Sequence, residues 1–268
     1  MSDERNKIGL ALSGGGAKGI AHAGVLKFLD EQQIQVDTLA GTSAGAIVAS
    51  MYACGKCPDE ILEFFQSVYF FNLKHFTLKR GGILNSVAFR NYFQEVFEQT
   101  TIGDLTIPTK ITGTDLVNGR LKIFDTKTKV VDAILASTAV PGVVTPHTIK
   151  GKIYSDGGIL NNFPVDLLHN TCDILIGTYV SSLQTKEACQ LNSMKAVTAR
   201  AFNLLSANGD YQKFKLCNWL IQPEGLNAFN TFETNKVKME AIFTIGYEAA
   251  KASFAELNAI DKIRLLQK

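Results

Sequence analysis

The amino-acid sequence predicts an α/β fold with a mostly parallel central sheet. Short apolar runs of strand length alternate with longer segments of helical pattern along the whole chain, and glycine-rich turns lie at the first two strand-to-helix junctions. Such alternation is typical of domains in which helices cover the faces of a parallel sheet. The chain has 268 residues, of which 46% are hydrophobic. This length is near the upper end of single-domain size, so one domain with a large core is expected.

The first four predicted elements are strand, helix, strand and helix. Residues 8–12 form a short apolar run, which is typical of a buried strand. A helix is predicted over 20–29, and its small residues allow a close approach to a sheet. A short strand over 38–40 then leads into residues 44–53, where nearly every side chain is small or apolar. That composition indicates a helix buried on all sides.

The rest of the chain continues the same alternation. Asn118-Gly119 is a typical hairpin turn between two strands, and Pro141-Gly142 is expected to end a helix. The further predicted strands cover 110–114, 121–124, 152–154, 173–180 and 218–221, and the further predicted helices cover 59–68, 130–140, 196–206 and 237–257. We therefore expect an amino-terminal tail over 1–7 and a single domain over 8–268.

Two glycine-rich motifs indicate the chemistry. The first is Gly14-Gly15-Gly16-Ala17-Lys18-Gly19, and the second is Gly41-Thr42-Ser43-Ala44-Gly45. Gly-x-Ser-x-Gly is the nucleophile elbow, a strained strand-to-helix turn that exposes a serine hydroxyl. Backbone N–H groups of a glycine loop can stabilise a developing oxyanion, and a helix that begins at the serine adds its positive dipole end. Together the motifs predict acyl transfer by Ser43.

A third motif, Asp156-Gly157-Gly158, completes a set that is similar to that of a known family. The three motifs occur in order, and together they resemble the patatin-like phospholipases over roughly residues 8–169. Flanking segments are similar as well: Ala21–Leu26 after the glycine loop, Ala139–Gly142 before the aspartate, and Asn161–Val165 after it. The resemblance implies a three-layer α/β/α domain that hydrolyses lipid acyl esters with a serine–aspartate dyad, as a phospholipase A, a lysophospholipase or an esterase.

The resemblance also assigns roles to individual residues. Ser43 is the implied nucleophile and Asp156 the implied base, a role for which burial would have to raise the ordinary aspartate pKa of about 3.9. The implied oxyanion donors are the amides of Gly14, Gly15 and Gly16, and the implied supporting residues are Lys18, Gly19, Gly41, Gly45, Gly157 and Gly158. No metal and no organic cofactor is implied. The motifs occupy residues 8–169, and residues 170–268 are expected to complete the domain.

Each assignment has an alternative. Ser43 could be a helix N-cap and Asp156 an ordinary turn residue, while Asp115, the nearest competing carboxylate, is interpreted as structural. A histidine base would be His169, which follows the chain order of a Ser-Asp-His triad, or His22 on the helix after the glycine loop. The other two histidines, His75 and His147, are expected in loops.

Rival functions also remain open. The spacing Gly14-x-Gly16-x-x-Gly19 fits a dinucleotide-binding fingerprint, but the only nearby acidic residue, Asp37, precedes the second strand instead of ending it. A non-catalytic lipid- or protein-binding member of the fold is a second rival, and acyl transfer to an acceptor other than water is a third. Cys54-Gly55-Lys56-Cys57 has redox spacing, but its place at a helix junction favours a structural role.

Composition limits the partners. The net charge of +2 is too small to indicate nucleic acid as a partner. Five cysteines and a charged stretch over 1–7 without a signal sequence favour a reducing compartment, so a cytoplasmic protein with peripheral membrane contact is expected. Residues 64–97 mix aromatic and basic side chains, which suits either a lid or membrane surface or the core of a helical layer.

Overall fold

The computed structural model describes residues 5–68 and 89–266. Within these residues the chain forms one eight-stranded sheet. The strands are β1 Ile8–Leu12, β2 Thr38–Gly41, β3 Thr109–Asp115, β4 Arg120–Ile123, β5 His147–Ile149, β6 Lys152–Asp156, β7 Ile174–Thr178 and β8 Trp219–Ile221. The helices of the described residues are α1 Ile20–Glu31, α2 Ala44–Ala53, α3 Pro58–Ser67, α4 Arg90–Phe97, α5 Val130–Ser137, α6 Met194–Tyr211, α7 Lys236–Glu256 and α8 Ala259–Leu266.

The sheet is mostly parallel, as the sequence predicts. Its order is β5-β6-β3-β2-β1-β7-β8, with β4 paired to β3. The pairs of β1 with β2 and β7, of β2 with β3, and of β7 with β8 are parallel, whereas the pairs that involve β4, β5 and β6 are antiparallel. Both β1 and β2 end at the same edge of the sheet. This is the edge at which α/β proteins place their sites.

The two faces of the sheet carry side chains of different size. Leu10, Leu12 and Leu39 point into the main hydrophobic core together with α1, α2, α5 and α7. On the opposite face the corresponding strands present Ala11 and Ala40, which contact a second, smaller cluster. That cluster contains Phe163, Val165, Leu168, Leu175 and Tyr179. The three-layer arrangement is therefore confirmed, and the second outer layer is thinner because short 3₁₀ turns cover much of this face.

Helix α1 packs closely against a second helix, α7. A Cβ atom on Gly24 would collide with the carbonyl oxygen of Phe243 in α7, and one on Gly246 would collide with the carbonyl oxygen of Ala21. Glycines that are this close to backbone atoms let two helices pack with little separation. The sequence predicts that the small residues of α1 face the sheet, but Ala21 and Gly24 serve the contact with α7.

Some element boundaries differ from the predictions. The helix predicted over 130–140 ends at Ser137, and the one predicted over 196–206 spans Met194–Tyr211. Strand β5 is absent from the predicted elements, because three residues are too short to show a period of two. It contains His147, for which the sequence predicts a loop.

Residues 64–97, the aromatic and basic stretch, can be examined only in part, because 69–88 lie outside the described residues. Phe64, Phe65, Phe93 and Phe97 are buried and belong to the main core. For these four rings the structure supports the interpretation as core of a helical layer.

Candidate active site

Ser43 has the strained backbone that a nucleophile elbow requires. It lies between β2 and α2 with φ +53° and ψ −122°, a positive φ that non-glycine residues rarely adopt. Its amide N–H donates a hydrogen bond of 2.9 Å to Ser137 Oγ, and its carbonyl accepts from the amide of Ala46 at 2.9 Å. These bonds hold the turn, so the side chain of a mostly buried serine projects at the carboxyl edge of the sheet.

The glycines of the elbow are required by steric contact. A Cβ atom on Gly45 would collide with the carbonyl oxygen of Leu12 in β1, and one on Gly41 would lie 2.5 Å from the carbonyl oxygen of Gly45. Gly19 is equally close to α2, because a Cβ atom on it would lie 2.5 Å from the Cβ of Ala44. Because these glycines have no side chains, β1, β2 and the start of α2 can meet around Ser43.

Asp156 lies beside Ser43. The Ser43 hydroxyl is close enough to the Asp156 carboxylate to lower its pKa, and the amide of Gly158 donates to Asp156 Oδ1 at 2.7 Å. Burial raises the pKa of Asp156 to about 6, and the Gly158 amide and the Ser43 hydroxyl counteract part of that rise. The carboxylate is therefore a better proton acceptor at neutral pH than an exposed aspartate, yet it remains mostly ionised there.

The antiparallel part of the sheet positions this aspartate. Asp156 is opposite Gly113 in the pairing of β6 with β3, and Thr114 Oγ1 donates to the Asp156 carbonyl at 2.8 Å. The carbonyl of Ala139 accepts two bonds, from the Asp156 amide at 3.0 Å and from Ser155 Oγ at 2.6 Å. The turn after the aspartate is tight, because a Cβ atom on Gly157 would collide with Thr112 Oγ1.

The glycine loop abuts the serine, but its three amides differ. The Gly14 N–H donates to the carbonyl of Asn162 at 3.0 Å, so it is not available to a ligand in this structure. The N–H groups of Gly15 and Gly16 bind no acceptor among the described residues. A Cβ atom on Gly14 would lie 3.3 Å from the Ser43 Cβ, which puts this loop against the elbow. The candidate oxyanion donors therefore narrow from three to Gly15 and Gly16.

Lys18 supplies positive charge next to this loop. Its side chain is half-buried and forms no ion pair within the described part of the chain. Burial lowers the pKa of Lys18, and the nearby charge of Lys186 lowers it further. An unpaired, partly desolvated ammonium favours negative charge in its surroundings.

The histidines do not provide a base at the positions that sequence reasoning considered. His22 is buried, and its Nε2 donates to the Ser13 carbonyl at 2.8 Å, while burial lowers its pKa to about 4. His169 is exposed in a turn. His147 contacts Asp132, with Nε2 3.3 Å from Oδ1, and His75 lies outside the described residues.

Two further sequence interpretations can be compared with the structure. Asp115 accepts bonds from the amides of Val117 and Asn118 at 3.1 and 3.0 Å, so it caps its own hairpin turn as expected. Asp37 binds Arg5 at 2.6 Å and the Ile8 amide at 2.7 Å. Because this places Asp37 at the amino end of the strands, away from the glycine loop, the dinucleotide fingerprint is incomplete.

The carboxyl-terminal segment contributes contacts that the motifs do not reveal. Ser206 Oγ on α6 donates to the Gly158 carbonyl at 3.1 Å, and Ser181 Oγ donates to the Gly14 carbonyl at 2.5 Å. The carbonyl of Thr231 accepts from the Ala17 amide at 2.7 Å. These contacts go to backbone atoms of both functional loops. Many residue types can make such contacts, so they leave no sequence motif.

Other features lie apart from this site. A cavity of about 490 Å³ has Arg5, Ile8, Asp30 and Tyr52 in its lining, at the amino end of β1, and does not include Ser43. Cys54 and Cys57 are free thiols. No group of three His, Cys, Asp or Glu side chains in residues 5–68 and 89–266 is arranged to hold a metal ion. Over the same residues, the helices are too short or too polar to span a membrane.

A family model and several sequence relatives match this chain. The family model for patatin-like phospholipase matches residues 10–169. An uncharacterized NTE family protein of Mycobacterium bovis is 33% identical over 162 residues, which are 59% of this chain and 44% of that protein. The neuropathy target esterase sws of Drosophila melanogaster is 30% identical over 173 residues, 62% of this chain and 12% of that protein. The chain thus spans less than half the length of these relatives.

A solved structure shows the same fold. VipD from Legionella pneumophila superposes with a TM-score of 0.64 at 16% sequence identity, over 94% of this chain and 67% of VipD. This likeness covers residues well beyond the matched family region. The carboxyl-terminal segment therefore has a counterpart in a known fold, although no sequence motif marks it.

Proposed function

Because the chain belongs to the patatin-like phospholipase family, we propose that it hydrolyses lipid acyl esters with Ser43 as nucleophile and Asp156 as base. The observation that supports this most strongly is the position of the Ser43 hydroxyl beside a buried carboxylate whose pKa is raised to about 6. A serine hydroxyl needs a base within hydrogen-bond reach before it can attack an ester. Aspartate can serve if its pKa lies near the operating pH.

The proposed reaction has two halves. Ser43 Oγ attacks the ester carbonyl carbon while Asp156 accepts its proton, and the carbonyl oxygen becomes an oxyanion that the amides of Gly15 and Gly16 can stabilise. Collapse breaks the ester bond, the departing alcohol or lysolipid takes the proton from Asp156, and the acyl group stays on Ser43. A water molecule then attacks this ester with Asp156 again as base. The fatty acid leaves and Ser43 regains its proton.

The groups around Ser43 can stabilise the oxyanion of the transition state. Loss of one oxyanion donor typically costs about 3 kcal/mol of transition-state stabilisation. The positive end of α2, which begins directly after Ser43, also favours the oxyanion. Lys18 adds positive charge beside the same loop. These groups compensate for a base that is weaker than a histidine.

The dyad can be tested with p-nitrophenyl esters of graded chain length. We expect Ser43→Ala and Asp156→Asn to lose at least about 10³-fold in kcat/KM. Ser50→Ala is a matched control, because Ser50 is a buried serine of α2 whose hydroxyl has no hydrogen-bond partner. Asp115→Asn removes another buried carboxylate. If Ser43→Ala is as active as wild type, or wild type cleaves no ester, the hydrolase proposal fails and a non-catalytic lipid-binding role takes its place.

Hydrolysis can be separated from acyl transfer by the products. The same acyl-enzyme on Ser43 would donate its acyl group to an alcohol instead of water, and no described residue decides between these acceptors. Product analysis with an added alcohol acceptor distinguishes them. A transfer product in excess of the free acid would assign the protein to the acyltransferases.

The outer face of α6 supports contact with a lipid surface. Met194, Val197, Leu204 and Leu205 repeat at helical spacing and are exposed, Leu205 to 77%. The same helix binds the Gly158 carbonyl through Ser206 on its other side, so α6 lies against the dyad loop and its apolar face points outward. Isolated exposed apolar residues are common, but a contiguous face next to a site marks an interaction surface.

The charge around α6 favours an anionic lipid surface as its partner. Residues 186–215 contain five Lys or Arg and two Asp or Glu, a net charge of +3, although the whole chain carries only +2. One of the two acidic residues, Asp210, is buried, and one of the basic residues, Lys213, pairs with Asp166. An apolar helix face with basic surroundings is typical of helices that lie in the headgroup region of a bilayer.

Vesicle binding tests this contact. In the Ser43→Ala background, we expect Val197→Glu with Leu205→Glu to weaken cosedimentation with phosphatidylcholine–phosphatidylglycerol vesicles by about tenfold or more. The matched control is Ile260→Glu with Ile263→Glu on α8, whose side chains are similarly exposed but lie at the amino end of the sheet. An equal loss in both double variants would contradict the assignment of α6, as would unchanged binding in the α6 variant.

A further inference from the structure

Asp210 near the end of α6 is a buried carboxylate that three donors surround. Its Oδ1 accepts from the Phe163 amide at 3.0 Å, and its Oδ2 accepts from Asn162 Nδ2 at 3.0 Å and from the Tyr179 hydroxyl at 3.1 Å. The residue is only 2% exposed. The three donors belong to two segments, so one carboxylate ties α6 to both the loop after the dyad aspartate and the end of β7.

Asn162 is the link between this carboxylate and the functional loops. Its carbonyl accepts the Gly14 N–H at 3.0 Å, so it fixes the start of the glycine loop. Its side-chain oxygen lies against Gly14, and would be 3.1 Å from a Cβ atom on Gly158. The glycine loop and the turn after Asp156 therefore meet at one asparagine, whose orientation Asp210 sets.

A purely structural role does not explain why a carboxylate is buried at this position. Burial of a charge costs several kcal/mol, and replacement by an apolar side chain is often neutral or stabilising. Here the opposing cationic group, Lys213, donates to Asn161 Oδ1 at 2.6 Å and pairs with Asp166 at 3.0 Å. Asp210 forms no ion pair within the described residues, although the charge of Lys213 favours its ionised form, and two of its three hydrogen bonds go to the loop that meets the site.

We propose that Asp210 is a positioning residue for the proposed hydrolysis: by orienting Asn162 and Phe163 it holds the glycine loop in register with the Ser43–Asp156 dyad. The inference rests on the proposed function. It extends that function to the carboxyl-terminal segment, in which sequence reasoning found no site residue. Displacement of a catalytic group by about 1 Å can lower the rate roughly a hundredfold, so the loss of this anchor should reduce kcat more than it changes KM.

The test compares Asp210→Asn with Asp115→Asn. Both wild-type carboxylates are buried and each accepts bonds from an asparagine side chain and a backbone amide, but Asp115 holds only its own hairpin. We expect Asp210→Asn to lower kcat on a soluble ester by about 30- to 100-fold, with KM within about threefold of wild type. Asp115→Asn should keep kcat within about threefold.

A second measurement does not depend on catalysis. We expect amide hydrogen exchange at Gly14 to be at least about tenfold faster in Asp210→Asn than in wild type or Asp115→Asn, because the acceptor carbonyl of Asn162 loses its tether. Asn162→Ala replaces Asp210→Asn in this test if Asp210→Asn does not fold, since it removes one of the three donors to Asp210 and leaves the carboxylate in place. The same changes in kcat and Gly14 exchange are expected, with smaller magnitude.

The outcomes separate this inference from the proposed function. With active wild type, an Asp210→Asn kcat within about threefold of wild type, or unchanged Gly14 exchange, overturns the positioning role alone. An equal fall of kcat in Asp115→Asn also overturns it, because the effect would then reflect general stability. If wild type hydrolyses no ester, the proposed function fails and the positioning role for catalysis fails with it.

Discussion

The raised pKa of Asp156 predicts that the dyad base destabilises the folded protein at neutral pH. The pKa is about 6 in the folded state because the carboxyl group is buried, against about 3.9 for an unperturbed aspartate. The folded state therefore binds the proton more tightly than the unfolded state, so the contribution of Asp156 to stability is present below pH 4 and is lost as the pH rises through 6. The full difference amounts to about 3 kcal/mol.

Asp156→Asn removes this titration. Between pH 5 and pH 8 the folded carboxyl group goes from mostly protonated to ionised, whereas the unfolded one is ionised throughout. We therefore expect the free energy of unfolding of Asp156→Asn to increase relative to that of wild type by roughly 1 to 2 kcal/mol from pH 5 to pH 8, so that the variant becomes relatively more stable. The variant should be inactive at both pH values. Any loss of hydrogen bonding by the amide affects both measurements equally and cancels.

Urea unfolding at the two pH values measures this difference. Asp115→Asn is the control, because the Asn118 side chain and the neighbouring backbone amides lower the pKa of Asp115. Its carboxylate is then ionised in both states from pH 5 to pH 8, so the difference between this variant and wild type should stay constant. If the difference for Asp156→Asn is also constant over this range, the pKa of Asp156 is not raised and the argument for it as base is refuted.

Two other predictions concern the same site. The kcat/KM for ester hydrolysis should rise with pH and reach half its maximum near pH 6, because only the ionised form of Asp156 can accept the Ser43 proton. A flat pH–rate profile from pH 5 to pH 8 would argue against this base. Gly16→Ala should reduce kcat/KM by about a hundredfold or more, because Gly16 has φ +59° and lies against the Thr231 carbonyl. Gly142 has a similar φ of +75° but open space around it, so Gly142→Ala should lose much less activity in the same assay. Equal losses in the two variants would mean that backbone strain alone explains the effect.

The sequence predicts the elbow well because its close backbone contacts require glycine at fixed positions. A positive φ at Ser43 requires backbone contacts that only glycine permits at Gly41 and Gly45. The alternation of strands and helices is equally local information, since each element shows its own hydrophobic period. The fold class and most of the elements could therefore be predicted from local patterns, whereas the pairing of Ser43 with Asp156 was implied by the family resemblance alone.

Contacts between distant loops could not be predicted in the same way. The glycine loop suggests three equivalent amide donors, but the Asn162 carbonyl occupies the Gly14 N–H. Any residue has a carbonyl, so this contact imposes no choice of side chain. Asp210 and Ser206 act on backbone or amide groups from a helix whose position depends on tertiary packing. Such residues become recognisable only when the chain is folded.

Several unfavourable features occur together at the carboxyl edge of the sheet. Ser43 has a strained backbone, the Asp156 carboxylate is desolvated, and Lys18 is half-buried without an ion pair in the described part of the chain. Each of these conditions lowers stability, and they persist only where the surrounding structure enforces them. Here the enforcement comes from bonds to neighbouring elements, such as the one that the Ser43 amide donates to Ser137 Oγ. Strain, a raised pKa and unpaired charge at one place are typical of functional sites, and this argues for chemistry at Ser43 independently of any motif.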